Sequence, residues 1–453
     1  MKQMALSILV NPTGSHAASW LHPGTQADAS TDIGYYRRMA QLAERGKFDL
    51  FFIADTPAAR TTNLEAWSRF PMFMNVFEPI TLLAALAGAT RHIGLGGTAS
   101  TSFHEPYNIA RQFASLDHLT HGRAAWNVVT SANDFAARNF GLDKLPPHAL
   151  RYDRAREFVG VVQALWDTWD DDAFVEDRVS GHYFDPARQH TLHHEGKFFR
   201  VHGALNVARS PQGHPVIIQA GASDTGKDFA AETAEVVFSS DSTLEGSKRF
   251  HDDLKSRMAK FGRAPEALKV LAGKPILIAE SAQQAEDQYQ ALQELIHPDV
   301  GRMRLGTDLE TDLSDLPVDE PIPEDRIPKT SNQHKMYFDH IVHMIRVEKL
   351  TLRQLYMRYE RGNKTLKGTA LQVADQLEEW FTGGACDGFM LMFNLMPTGL
   401  ADFVEKVVPI LQHRGLFRQE YSGATLRDHL GLARPANRHA VAAKAAAARA
   451  AAE

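Results

Sequence analysis

Eight short runs of nearly continuous hydrophobic residues punctuate the chain: Ala5 to Val10, Phe48 to Ala54, Ile93 to Gly97, Ala124 to Val129, Val216 to Ala220, Val236 to Ser239, Pro275 to Ala279 and Gly388 to Phe393. Runs apolar at every position, not at alternate ones, are the mark of strands covered on both faces. Between them lie stretches of helical spacing that end at stop signals. Ile33 to Arg45 halts at Gly46, Ala110 to Leu119 before Gly122, and Thr369 to Phe381 at Gly383-Gly384. Tyr152 to Trp169 and Ser281 to Leu295 are further helices. Strand and helix alternating about eight times predict an α/β fold with a parallel sheet, and eight units predict its closure as a (β/α)8 TIM barrel. The third run, short and glycine-rich, is the weakest strand signal.

Two intervals are too long to be simple connections, Ser131 to Pro215 after the fourth strand and His297 to Gly368 after the seventh. They read as long insertions in a single barrel domain spanning residues 1–433. Long insertions in barrels commonly serve as lids or binding loops. The tail, 434–453, is mostly alanine with scattered Arg and Lys, and reads as frayed or disordered.

The 453 residues carry a formal net charge of -6, with no basic stripe, so nucleic acid is not an expected partner. The single cysteine, Cys386, excludes an internal disulfide and reads as a small buried hydrophobe. No apolar stretch is long enough to cross a membrane and the first residues read as a strand, so a cytoplasmic location is expected.

Barrel chemistry gathers at the C-terminal ends of strands. Those ends here hold Asp55-Thr56, Thr98 to Thr101, Asn127 with Thr130-Ser131, Gln219 to Ser223, and Asn394. Such polar, mostly uncharged groups suit a ligand with carbonyls and ring nitrogens better than a bare metal. The turn Gly221 to Gly226 joins a strand to a helix starting near Thr225. It is either a phosphate site, where small residues and unpaired N–H groups meet an anion, or a tight turn into a capped helix. His190, His193, His194 and Glu195 cluster in a predicted loop, where a solvated or lid group is a better reading than a metal site. His104 follows the third strand. His148 precedes Tyr152 by four residues, and the two share a helical face if the helix begins early.

The segments Phe48 to Thr56, Thr98 to Ser131, Arg151 to Val159, His194 to Gly226 and Val373 to Leu432 together resemble the two-component FMN-dependent monooxygenases of the bacterial luciferase-like superfamily. Within it, they are similar to the subgroup of nitrilotriacetate and dibenzothiophene-sulfone monooxygenases. The resemblance covers nearly the whole chain in the right order. It implies FMN at the C-terminal mouth of the barrel, with Asp55 and Thr98 by the flavin ring and Asn127 bonded to its edge. It places His148 and Tyr152 at the ribityl or phosphate region and Ser223 at the phosphate.

The resemblance also implies a reaction. A separate NAD(P)H:flavin reductase supplies FMNH2, which with O2 oxygenates a small organic molecule. His148 and His104 are the candidate hydrogen-bond donors to developing negative charge, and no residue is expected to bind metal. Relatives imply a homodimer or higher homo-oligomer. A deazaflavin-dependent oxidoreductase of the same superfamily, a non-catalytic flavin-binding protein and a metal-dependent barrel hydrolase are the competing readings. Phe103, Trp20, Phe77 and Phe135 are candidates for an apolar pocket, which leans the expected substrate toward an apolar or organosulfur compound.

Overall fold

The computed structural model describes residues 2–131, 133–330, 335–359 and 364–451. Parts of both expected insertions and the last two residues of the tail lie outside them.

The strands are, in chain order, β1 (Ala5–Leu9), β2 (Leu50–Ile53), β3 (Gly94–Ser100), β4 (Ala124–Val129), β5 (Leu192–Glu195), β6 (Arg200–Gly203), β7 (Val216–Gln219), β8 (Val236–Ser239), β9 (Lys269–Ile278), β10 (Leu366–Gly368) and β11 (Gly388–Phe393). The large sheet runs β10-β9-β11-β1-β2-β3-β4-β7-β8, and a further pairing of β8 with β9 closes it. Without β10, eight parallel strands complete the predicted barrel. Ile276 pairs with both Phe393 of β11 and Leu366 of β10, so β10 lies on the edge of β9 that β8 occupies lower down.

Side-chain alternation sorts the strands into an inner and an outer face. Inside lie Ala5, Leu50, Phe52, Ala125, Val216, Ile218, Val236, Leu271 and Met390, a core fully shielded from water. Outside, the larger cluster built on Leu6, Phe51, Leu95, Trp126, Ile217 and Phe389 packs against the helices. The end away from the functional mouth is plugged by the Leu426–Leu430 helix, whose Leu426 and Leu430 join the inner cluster. Arg427 of that plug is 2% exposed and grips Glu235 through two bonds of 2.5 and 2.9 Å while also donating to the His214 carbonyl.

The glycines that weakened the third strand in sequence are packing requirements. A Cβ on Gly97 would lie 2.8 Å from Leu83 on the outer face, and one on Gly96 would lie 3.0 Å from Leu50 inside the barrel. The strand also runs on to Ser100, so Thr98 lies within it, not after it. The seventh barrel strand starts six residues earlier than its sequence suggests, because Gly273-Lys274-Pro275 imitates a turn. Lys274 is instead buried, donating to the Asp241 carbonyl at 3.0 Å and lying 3.3 Å over the Trp380 ring, and burial lowers its pKa to about 8. Pro275 falls beyond Ala272, the last residue of β9 paired with β8. Cys386 is buried as expected, its thiol pushed up to about 12 by burial.

The first insertion holds the long His148–Trp166 helix and the β5–β6 hairpin. His193 and His194 therefore stand on a strand, where a loop was predicted. His194 meets Glu157 at 3.1 Å, and Glu157 also accepts from the Phe199 amide at 2.8 Å, stitching hairpin to helix. His190 bonds Asp170 and stacks on His439. These pairings give the histidines structural partners, and no metal-holding group of three or more such side chains occurs among the described residues.

The second insertion carries the helices Pro298–Leu309, Lys335–Arg346 and Leu352–Arg358 and has its own hydrophobic cluster. That cluster includes Ala17 and Ala18 from the β1 loop and Ala66 and Phe70 from the β2 loop, so the insertion is a cap bonded by packing to the barrel mouth. The tail forms an exposed helix, Arg438–Ala450, capped by Asn437. No helix among the described residues is long and apolar enough to cross a membrane.

Replacing the buried Arg427 by Met leaves the partly buried Glu235 without its cation. We expect a loss of about 3–5 kcal/mol in stability, partly recovered in the double variant Arg427→Met, Glu235→Gln, as read by chemical denaturation.

Candidate active site at the barrel mouth

Strand register places Thr98 opposite Asn127, both on the inner face just below the mouth. The Asn127 amide donates to the Thr98 hydroxyl at 2.9 Å, and that hydroxyl donates to the Ile53 carbonyl at 3.3 Å. This chain of donors fixes the amide so that its oxygen is left over. Asn127 Oδ1 is buried and has no hydrogen-bond partner in the protein. A buried acceptor without a donor costs about 1–3 kcal/mol, so an outside donor is what this position lacks.

Above β7 the chain turns into the Asp224–Thr233 helix. Ser223 caps that helix, accepting from the Gly226 amide at 3.1 Å. A Cβ on Gly226 would lie 3.0 Å from the Tyr152 hydroxyl and 3.2 Å from Ser223 Oγ, and a Cβ on Gly221 would lie 3.4 Å from the same tyrosine oxygen. Glycine at both positions keeps a cradle open between two hydroxyls and a helix N-terminus. The long helix starts at His148, four residues before the predicted start, with Pro147 at its N-cap position. His148 and Tyr152 consequently stand one turn apart with ring centroids 4.7 Å apart. His148 and Ser223 are exposed on the rim, and Tyr152 is half-buried. Beside them Arg151 donates to the Ser131 carbonyl, while its Nε is buried without a partner.

Asp55 and His104 sit on the rim over β2 and β3. Burial raises the Asp55 carboxyl to about 6, and the nearby charge of Glu78 adds to the rise. Burial lowers His104 below its ordinary value, opposed by the same Glu78. The two residues therefore share one acidic neighbour. The structure thus joins Thr98 with Asn127, and His148 and Tyr152 with Ser223, and sets Asp55 with His104 on the adjoining rim.

A cavity of about 490 Å³ opens next to this array, within the span typical of small-molecule sites. Its wall comes from the ends of β1, β2, β9 and β11 and from the cap. Ala54 and Thr56, on either side of Asp55, line it, but none of the six predicted cofactor residues does, nor does His104. The aromatic residues expected to line an apolar pocket do not line it either. Phe103 stacks on Phe140, Phe77 packs on Tyr36, Trp20 donates to the Arg69 carbonyl, and Phe135 lies behind Arg60. Trp67, Phe70 and Phe73 take that place, with Met72, Met74, Met303 and Met392.

Sequence reasoning missed the polar half of the cavity. His16 is half-buried, its Nδ1 accepting from the Ala18 amide and its Nε2 donating to Gln293. Burial, then the neighbouring Arg304, lower its pKa to about 4, so it is a neutral imidazole near pH 7. Asn11 follows β1 directly and was findable by the strand-end rule. Arg304 comes from a helix of the cap, and nothing local in the sequence announces it.

Known proteins are similar to this chain over almost its full length. N-acetyl-S-(2-succino)cysteine monooxygenase of Bacillus subtilis (strain 168) is 46% identical over 97% of this chain and 99% of its own. Nitrilotriacetate monooxygenase component A of Aminobacter aminovorans is 47% identical over 96% and 98%. The crystal structure of a long-chain alkane monooxygenase superposes with a TM-score of 0.83 at 33% identity, covering 95% of this chain and 96% of that one. The family described as luciferase-like monooxygenase matches residues 13–385. The chain belongs to the luciferase-like monooxygenases and is a flavin-dependent monooxygenase.

Proposed function

We propose that the chain is the oxygenase component of a two-component system that binds FMN, as FMNH2 delivered by a separate NAD(P)H:flavin reductase, and inserts one atom of O2 into a small organic substrate. The observation that carries the cofactor assignment is the unpartnered Asn127 oxygen at the inner mouth, an acceptor waiting for a ring N–H. Bound reduced flavin supplies the electrons and the reaction with O2. The protein orients it and keeps water out. In this reading Thr98 and Asn127 hold the ring edge, with Asp55 beside it. His148, Tyr152 and Ser223 hold the ribityl phosphate, helped by the N-terminus of the Asp224–Thr233 helix. His104 and His148 are the candidate donors that steady developing negative charge. We further infer a cytoplasmic homodimer or higher homo-oligomer.

Supplying the chain with a flavin reductase, NADH, FMN and labelled O2, against a panel that includes nitrilotriacetate and a long-chain alkane, tests the reaction. One labelled oxygen atom should appear in an organic product, and only with the reductase present. Formation of hydrogen peroxide alone across a broad panel would count against it.

Asn127→Leu removes the orphaned oxygen. We expect flavin affinity to fall by about tenfold or more while the thermal midpoint of the flavin-free protein stays close to wild type, measured by flavin fluorescence titration and calorimetry. A ring bound over Asp55 withdraws it further from water, which costs more for the ionised carboxyl than for the neutral one, and Asp55 ionises through about pH 6. Flavin affinity should therefore fall as pH rises through that value, and Asp55→Asn should flatten the fall, as read by the same titration between pH 5 and 8.

A further inference from the structure

The first insertion sends out an arm that the barrel does not cover. From Thr168 to His190 the chain doubles back on itself. The His190 amide donates to the Thr168 carbonyl at 2.9 Å, the Asp185 amide to that of Ala173 at 2.8 Å and the Glu176 amide to that of Tyr183 at 2.9 Å. Trp169 packs on Phe174 and Phe184 within it, with ring centroids 4.7 and 5.2 Å apart, so the arm is braced at its base. Residues 175–184 are nonetheless all exposed, and Val179 is 98% and Tyr183 64% exposed. Apolar side chains held out in water on a preorganised element mark a surface that another molecule covers. A second element projects from the same root. Asn437 donates to the Asp167 and Trp169 carbonyls at 3.2 and 2.9 Å, and His439 stacks on His190. The Arg438–Ala450 helix that leaves this anchor has no buried residue. A helix of this length is marginal in water without a packed face, so it too lacks its cover. The two elements are opposite in charge. The tail has no acidic residue from Arg434 to Ala452, and its Lys444 and Arg449 are exposed. At the tip of the arm the exposed Glu176 and Asp177 outweigh Arg178. The other carboxylates of the arm, Asp170, Asp171, Asp172 and Asp185, are paired within the chain by His190, Arg434 and Arg188.

We propose that arm and tail are the surface on which a second copy of this chain docks, each arm lying against the other copy's tail helix about a two-fold axis. One chain offers an acidic, apolar arm and a basic helix side by side and leaves both uncovered. Two copies facing each other supply both missing covers at once, which is the self-complementarity that a two-fold interface requires. The inference rests on the homo-oligomer reading and names the surface that makes the pair.

Light scattering of the full chain on a sizing column tests it, with circular dichroism to follow folding. Two variants are compared, Glu176→Lys with Val179→Lys in the arm, and Lys444→Glu with Arg449→Glu in the tail. Like charges then face each other in either one. Each alone should show half the wild-type mass, its self-association weakened roughly hundredfold or more. Mixed in equal amounts, the two variants should return to the wild-type mass, because both arm–tail contacts of a mixed pair again join opposite charges. Deleting residues 440–453, which are exposed wherever they are described, should halve the mass as well and decides the matter if a charge variant fails to fold. A monomeric wild-type chain would overturn both this surface and the homo-oligomer reading. An oligomer whose mass none of the changes alters would overturn the surface and leave that reading standing. Folded variants that separate but do not recombine on mixing would overturn the pairing of arm with tail.

Discussion

Closure of the barrel is the constraint on which the site depends. Once β8 pairs with β9, each of the eight barrel strands has a neighbour on both sides, and each of their side chains points either into the barrel or out to the helices. The inner face cannot be filled by water-loving groups except where it ends. Leu426 and Leu430 seal one end, so the polar inward positions, Thr98 and Asn127 among them, collect at the other. The same alternation explains why these two residues meet. They are register partners on adjacent strands, and neither loop flexibility nor a long side chain is needed to join them.

The mouth divides into two neighbouring territories. Over β3, β4 and β7 it offers hydroxyls, an amide and a helix N-terminus around a glycine-lined cradle. Over β1, β2, β9 and β11 it offers a roofed cavity with two arginines and a methionine-rich wall. The boundary runs through Asp55, whose neighbours Ala54 and Thr56 face the cavity and whose own acidity is altered by burial. A reaction between a bound cofactor and a second molecule needs such adjoining compartments, because proximity and orientation of the two partners account for a large part of enzymatic rate.

Much of this was legible in the sequence, for reasons that differ by element. Buried parallel strands are hydrophobic at every position, so runs such as Ala124 to Val129 stand out. Strand ends are short and follow directly, so Asn127 and Ser223 could be named. What failed did so where tertiary packing overrides local signals. The glycines of β3 look like turn residues, yet each leaves room for a particular neighbour, Leu83 or Leu50. Lys274-Pro275 reads as a break, until the lysine finds Trp380. The cavity was illegible because its wall joins residues hundreds of positions apart. Arg60 and Arg304 come to one wall only after the insertion has folded onto the β2 loop, and the aromatic residues expected to line the pocket pack elsewhere.

The cap leaves the barrel after the Ala282–Glu294 helix that follows β9, and its chain returns as β10, hydrogen-bonded to that same β9 at Ile276 to Ile278. Departure and return share one strand, so the roof joins the barrel covalently at one seam and is held elsewhere only by its packing on the β1 and β2 loops. Insertions, deletions or wholesale replacement of the roof can redraw the chamber's shape and charge while the ladder beneath β3, β4 and β7 keeps its register. Such a seam gives natural variation, or a protein engineer, a place to exchange what the chamber admits without disturbing the opposite half of the cylinder.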